Sequence, residues 1–473
     1  MAFGRKRIYT DVAEITESNI IQVVRDAFII HEQNRLDIKR LFDIAKGDME
    51  LSRKKEIRPE IDIKAVDPIA SQITDFKIGY EHGTPITYIQ RAMVESDNSE
   101  GAKDDLRIAT LNEMMREVNK ASKDLQLASY IKKCGVGYRF IFPNRKKNGI
   151  SPFDMAILNP MNTFVIYSND VFQKPLASVT YVIKNDGNKG NIGVYTDKFY
   201  FNIFDEKVLS KEINPIGIIP IVEYDNNDDI MGCFEKELQL IDALNVVTSD
   251  RVNDIAQTVQ SILWLHNTKL SEEQKDALVD GGVIQTQQTA DGKDAKIQYV
   301  NAPLNQAEIQ TLADNLKERI LESAGVPKLS DTTNTTGNAT FLSNGWHTAE
   351  TQAKSSELIW RMAEDITLDI CLTFIRNSEI SPNGVGSLKL ADIDYKMHRS
   401  ENYDIVSRVN AFVTLTDRGF DLVKSATYCK ITDDPQQFCL DSQANVDKLR
   451  FNNSDNDAEK KTEESIQPDT VAF

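Results

Sequence analysis

The hydrophobic pattern changes period twice along this chain, and that change limits the folds open to it. Between residues 134 and 224, short β-rich runs follow one another: YRFIF at 138–142, TFVIY at 163–167, ASVTYVI at 177–183, GVY at 193–195, FYFNIF at 199–204 and IIPIV at 218–222. Turn signals separate them, KNG at 147–149, NDG at 185–187 and NKG at 188–190. No helical stretch lies between the runs, so a βαβ Rossmann pattern is excluded and one antiparallel β-rich domain is expected. Helical periods lie on both sides of it. The fold class is therefore α+β.

Before the β-rich stretch, a helix is expected from Asn19 to about Ala45, with Ile20, Val23, Val24, Phe28, Leu36, Ile38, Leu41 and Phe42 in its apolar pattern. A second is expected from about Ile63 to Gly79, then a strand at Ile86–Ile89 and a helix from about Leu106 to Ile131. After it, Phe234 to Val259 repeats apolar residues in three- and four-residue steps, among them Leu238, Ile241 and Leu244. The opposite face carries Asp242, Ser249, Asp250 and Asn253. A matching helix covers Asn305 to Ser323, with Ile309, Leu312, Leu316 and Ile320 on one side. Between the two lies a small insert, 261–303. It holds a strand with Trp264 and Leu265, a short helix capped by Ser271, and hairpin-like turns at Gly281–Gly282 and Asp291–Gly292. The segment 330–346 is rich in Ser, Thr, Asn and Gly, and Asp331 is its one charge. A long helix follows from His347 to about Asn377. Further helices are expected near 402–417, 418–427 and 434–450, and the polar tail from Asn452 reads as disordered.

Composition narrows the chemistry. Lys and Arg total 55 against 72 Asp and Glu, a net charge of −17, so no basic face for gripping nucleic acid is expected. Five scattered cysteines fit a reducing compartment rather than a disulfide framework. No apolar h-region follows the basic start MAFGRKRIYTD, and the longest apolar run, 216–222, is far short of a membrane span, which needs about 18 residues. The chain is expected in the cytosol when made, away from membranes.

No phosphate-cradling GxxxxGK[ST] loop, no GxSxG elbow and no His pair at metal-ligand spacing is present. Asp225, Asp228 and Asp229 are the one cluster that suggests a divalent cation and metal-dependent DNA processing. Acidic and amide residues between a strand and a helix are more often turns and caps. No enzyme, cofactor or metal is expected.

Taken in order, the segments resemble the portal proteins of tailed bacteriophages, in particular those of long-tailed phages of Gram-positive bacteria. The resemblance rests on NPIGIIPIVEY at 214–224 leading through DNN into FEKEL at 234–238, LIDALN at 240–245 and SDRVND at 249–254. It also rests on DIKAVDPIASQITDFKIGYEHGTPITY at 62–88, NPMNTFVIY at 159–167 and AGVPKLS at 324–330. One departure stands out: where the family commonly carries Ser-Gly-x-Ala-Leu, this chain has GNATFL at 337–342.

The resemblance implies a portal fold assembled as a homo-dodecameric ring at one capsid vertex. Its parts would be a wing at 1–230, stem helix 1 at 231–260, a small α/β clip at 261–303, and stem helix 2 at 304–326. The wing resumes at 327–400 with the tunnel loop 330–346 and long helix 347–377, and a helical crown covers 401–451. The tunnel loop would present Asp331, Thr335, Thr336, Asn338 and Thr340. Stem residues lining the channel would be Asp242, Asp250, Asn253, Asp254, Asp314, Lys317 and Glu318, with Leu238, Ile241, Leu244, Ile309, Leu312 and Leu316 packing the stem. Trp264, Leu265, Gly281 and Gly282 would belong to the clip. Implied partners are the terminase motor, major capsid and scaffolding proteins, head-completion or adaptor proteins, and double-stranded DNA passing through weakly and without sequence preference. The place would be the virion, with host cytoplasm during assembly. Another head–tail connector ring component is the alternative within the same class.

Overall fold

The computed structural model describes residues 4–51, 61–91, 106–144, 149–185, 187, 189–259, 262–266, 296–300, 306–328, 345–378, 382–397, 399, 405–429, 431–432, 438–439 and 442. The chain divides into two compact units, Met1–Asp331 with Phe341–Ser400, and Thr332–Thr340 with Glu401–Phe473.

In the first unit, the chain runs through β1 (Ile8–Thr10), α1 (Ile20–Ala45), α2 (Ile69–His82), β2 (Thr87–Gln90), α3 (Leu106–Glu117) and α4 (Lys120–Cys134). Strands β3 (Val136–Pro143), β4 (Phe153–Leu158), β5 (Thr163–Ser168), β6 (Pro175–Ile183), β7 (Lys189–Tyr195), β8 (Phe199–Phe204), β9 (Lys207–Ile213) and β10 (Ile221–Asp225) follow. Then come α5 (Leu238–Val259), β11 (Ile262–His266), β12 (Lys296–Val300), α6 (Gln306–Ser323), α7 (Trp346–Asn377) and β13 (Ile393–Lys396).

The strands of the 134–224 stretch do not form one sheet. β5 to β9 make an antiparallel meander, with β1 added parallel to β5 at its edge. A second sheet has the order β10-β3-β4, so β3 and β10 pair antiparallel across most of the meander. Burial alternates along parts of β4 and β8, whereas β3 and β5 are covered on both faces. The 3.6-residue pattern of α1 fills two cores. Its first half buries Ile20, Val23, Val24 and Ala27 against Phe164, Val179, Val194 and Phe201 of the meander. Its second half buries Ile38, Leu41 and Ile44 with Ile69 and Ile73 of α2, Leu238, Ile241 and Leu244 of α5, and Ile320 of α6. A third core joins α3, α4, the β10-β3-β4 sheet and the second half of α7, through Leu111, Met114, Leu127, Phe153, Leu368 and Ile375. Apart from Ala27, each of these side chains contributes roughly 1.5–3 kcal/mol by leaving water.

Several expected elements are corrected. The helix expected from Ile63 starts at Ile69, because Pro68 disfavours helical geometry at Asp67 and the chain enters extended. The helix expected over 106–131 is two helices. Asn119 breaks it in the left-handed region at φ 53°, a conformation Asn tolerates better than most residues, and α4 then runs on to Cys134. Strands β1, β4, β9 and β13 were not legible. In β9, KVLSKEI, lysines and a glutamate occupy an edge strand, and charge at an edge discourages pairing with other chains.

In the second unit, α8 (Ile405–Asp417) and α9 (Leu422–Cys429) pack together around Ser425 and Ala426. Gly419, at φ 85°, makes the turn between them. The helix expected at 434–450 lies mostly outside the described residues. Among the described residues, no helix is long and apolar enough to cross a membrane.

Candidate functional site

Helices α5 and α6 pack against one another, and β11 and β12, which lie between them in the chain, pair antiparallel with Trp264 opposite Gln298 and Leu265 opposite Ile297. The result is a helix pair with a two-stranded sheet in its connection. Gly281 and Gly282 lie outside the described residues, as do Asp331, Thr335, Thr336, Asn338 and Thr340.

The six apolar positions expected to pack between subunits divide into two sets. Leu238, Ile241 and Leu244 are buried by the chain's own α1, α2 and α6, so a neighbouring copy is not needed to cover them. On α6, Ile309 is half-buried and Leu316 leans on the same core, but Leu312 is 50% exposed. Among the polar positions, Asp242, Asp250 and Asp254 are half-buried, while Asp314 and Glu318 are exposed. Asp314 accepts a 2.7 Å hydrogen bond from Gln310, which in turn accepts one from Arg251 across the helix pair. Glu318 pairs with Lys328, and Lys317 lies 3.5 Å from Asp67.

Asn253 does not face solvent, and the expectation that it lines a channel is corrected. It is fully buried beneath the extended segment 61–67. Its Oδ1 accepts from the Ile63 amide at 2.8 Å and its Nδ2 donates to the Ile63 carbonyl at 2.9 Å. One turn back, Ser249 accepts from the Ala65 amide at 3.0 Å and donates to the Ala65 carbonyl at 3.2 Å. Another turn back, Asn245 accepts from the Asp67 amide at 2.8 Å. Four residues of helix rise about 6.0 Å and two residues of extended chain span about 6.6 Å, so the side-chain ladder and the backbone stay in step. Three uncharged polar residues four apart, between the apolar and acidic faces, are the signal that would have found this strap. Changing Asn253 to Ala removes both hydrogen bonds to the Ile63 backbone, and we expect a loss of about 1–3 kcal/mol, at about 0.5–1.5 kcal/mol per bond. Amide exchange at Ile63 and Ala65 should quicken; unchanged protection there would show that the ladder does not hold the strap.

The aspartate cluster does not assemble as a metal site. Asp225 Oδ2 is 2.5 Å from Arg7, and burial, with Glu223 beside it, pushes its carboxyl up to about 8. An Asp225 oxygen taken up by the Arg7 guanidinium is not free to ligate a cation. Asp228 and Asp229 are exposed and line an open cavity of about 690 Å³ that also takes Arg5, Lys6 and Arg7. Among the described residues, no three His, Cys, Asp or Glu side chains are grouped to hold a metal.

A denser polar cluster lies where α7 crosses α4 and the β10-β3-β4 sheet. Glu364, fully buried, receives Tyr88 Oη at 2.6 Å, Tyr224 Oη at 2.9 Å, Arg139 Nη1 at 3.0 Å and Lys120 Nζ at 3.0 Å. Asp124 completes it, 2.6 Å from Lys120 and bonded to Arg139. Burial raises the Glu364 carboxyl, but the charges of Lys120 and Arg139 and the Tyr88 hydrogen bond outweigh it and hold it at about 2. Each of these charged side chains is at most 7% exposed and pairs with another inside the protein, so they fasten elements together.

No curated protein matches the chain. The family model described as phage portal protein, SPP1 Gp6-like, matches residues 28–344, from α1 through both helices of the pair and into the segment before α7. With two thirds of its length inside that match, this chain belongs to the phage portal protein family.

Proposed function

We propose that this chain is the subunit of a dodecameric ring at one capsid vertex of a bacteriophage, and that double-stranded DNA passes along the ring axis in packaging and ejection. The observation that carries the reading is the α5–α6 pair joined through the β11–β12 sheet, inside the span that matches the portal family. In this reading α5 and α6 are the stem, 261–303 is the clip that meets terminase and later the head-completion proteins, 330–346 is the tunnel loop, α7 the long wing helix and 401–451 the crown. The family is structural, and the role asked of the chain is to be a conduit. A conduit must not hold its cargo, because each phosphate neutralised by Lys or Arg adds salt-dependent affinity. A net charge of −17 on every copy works against such holding. The hydroxyls and amides of Thr335, Thr336, Asn338 and Thr340 supply weak, exchangeable contacts in place of cationic anchors. The assembled ring belongs to the virion, with major capsid and scaffolding proteins as assembly partners in the host cytoplasm.

Negative-stain images and sedimentation of the purified protein test the ring. Parent protein without rings would overturn the reading. Leu312→Asp probes one part of it. The side chain is half exposed in a single copy, so the subunit tolerates the charge, whereas burying it against a neighbour costs several kcal/mol, roughly, per copy. Rings should fall to smaller species. Intact rings would show that the Leu312 face is not an interface.

A further inference from the structure

We infer that α1 of one copy packs side by side, in parallel, against α7 of the next, and this rests on the ring reading above. Two helices of the first unit expose apolar rows that the chain's own cores leave uncovered. On α1, Ile29 is 72% and Leu36 57% exposed, one heptad apart on the side away from the cores. On α7, Leu358, Met362 and Ile366 are 68%, 71% and 50% exposed, four residues apart. These are two different rows on one chain. A contact between them is heterologous, so each added copy leaves one row of each kind free, and repetition closes a ring when the rotation between copies closes. A contact of either row with itself would stop at a dimer.

The flanking charges choose both the partner and the direction. With Ile29 level with Leu358 and the helices parallel, Leu36 falls between Met362 and Ile366, as a knob between ridges requires. Asp26 then comes within one residue of Lys354, and Lys39 within one residue of Asp369. Each is a pair of opposite charges, as is Arg40 level with Asp369; Arg25, level with Lys354, is the one like-charge approach, and Glu206 holds it at 2.7 Å. Run antiparallel with Ile29 level with Ile366, the same rows set Asp26 against Asp369 and bring Lys39 toward Lys354. Arg40 also comes within one residue of Lys354, and Arg25 near Asp369 is the one opposite pair, so like charges outnumber opposite ones and the antiparallel arrangement is disfavoured. The present partners of these groups are exchangeable. Lys354, itself 67% exposed, lies 3.3 Å from Glu350, which Arg399 also neutralises; Asp369 lies 3.4 Å from Arg376 and Asp26 accepts from Gln22 at 2.8 Å, both at the surface, where such pairs hold weakly.

Disulfide trapping in the full-length protein tests this. The double variant Ile29→Cys with Leu358→Cys, oxidised with copper–phenanthroline, should give a ladder of covalent multimers on a non-reducing gel. Each single variant should give no more cross-linking than the parent with its five native cysteines. Cross-linked dimers from a single variant would mean a row meets itself, and would overturn the proposal. A double variant without a ladder, in a parent that sediments as a ring, would overturn this contact and leave the ring reading standing. A parent that forms no ring takes both down. As a second measurement, Leu358→Asp with Met362→Asp should abolish the ring peak in sedimentation while the thermal midpoint of the subunit holds. A ring that survives both charges would also sink the contact.

Discussion

Replacing Glu364 with alanine is expected to cost the fold about 3–5 kcal/mol, the range for removing one partner from a buried charge network. Alanine leaves Lys120 and Arg139 buried with Asp124 as their one remaining carboxylate. It also takes the acceptor from Tyr88 and one of two partners from Tyr224, which keeps Thr367 at 2.7 Å. Because α7 meets α4, β3 and β10 at this point, the loss should be global, seen as a lowered urea midpoint rather than a frayed end. Glu364→Gln keeps the shape and one acceptor and should lose less. The folded carboxyl ionises at about 2, whereas an unfolded glutamate does so at about 4.3. Its contribution is therefore present above about pH 4–5 and is lost as the pH falls toward 2. Glu364→Gln should flatten that acid-side slope. If the alanine variant unfolds at the parental urea concentration, the cluster is not a fastening.

The same residue shows where reading the sequence stops. Period alone locates α1, α5, α6 and α7, because one face of each is apolar and the period of a helix is fixed by its geometry. Glu364 sits inside that pattern on a helix of mixed polarity, and its partner Arg139 is 225 residues away. Nothing local marks either as buried. Arg139 lies in the strand VGYRFIFP, where an arginine reads as the solvent face, yet both faces of that strand are covered. The strap ladder was hidden for a different reason. Asn245, Ser249 and Asn253 are polar, polar residues on an amphipathic helix are ordinarily wet, and the backbone of 61–67 that buries them comes from elsewhere in the chain. Pro68, by contrast, is a local signal for the helix start at Ile69, and the expectation of a start at Ile63 passed over it. In the proposed ring, the two hidden features have related work. The cluster fixes α7, whose N-terminal end follows the tunnel loop in sequence, and the strap ties 61–67 along the stem helix α5.

Changing Thr335, Asn338 and Thr340 together to lysine is expected to stall DNA in transit. The parental segment 330–346 has one charge, Asp331, so in the proposed channel it touches DNA through hydroxyls and amides and holds no phosphate firmly. Three lysines per copy change that. Affinity falls with salt by a slope of about 0.9 per phosphate neutralised, so three contacts give a slope of about 2.7, or about 40-fold between 50 and 200 mM salt. Copies around the axis meet the duplex in turn, so each advance of the DNA must break such contacts and remake them. Packaging should slow most at low salt and recover as salt rises, while rings and proheads still form, because no charge is placed in the described cores. Single-particle packaging velocity across salt concentrations decides the matter. Parental velocity at every salt level would mean that these residues face away from the DNA, and the channel lining would have to be sought among the acidic positions of α5 and α6, Asp242, Asp250, Asp314 and Glu318.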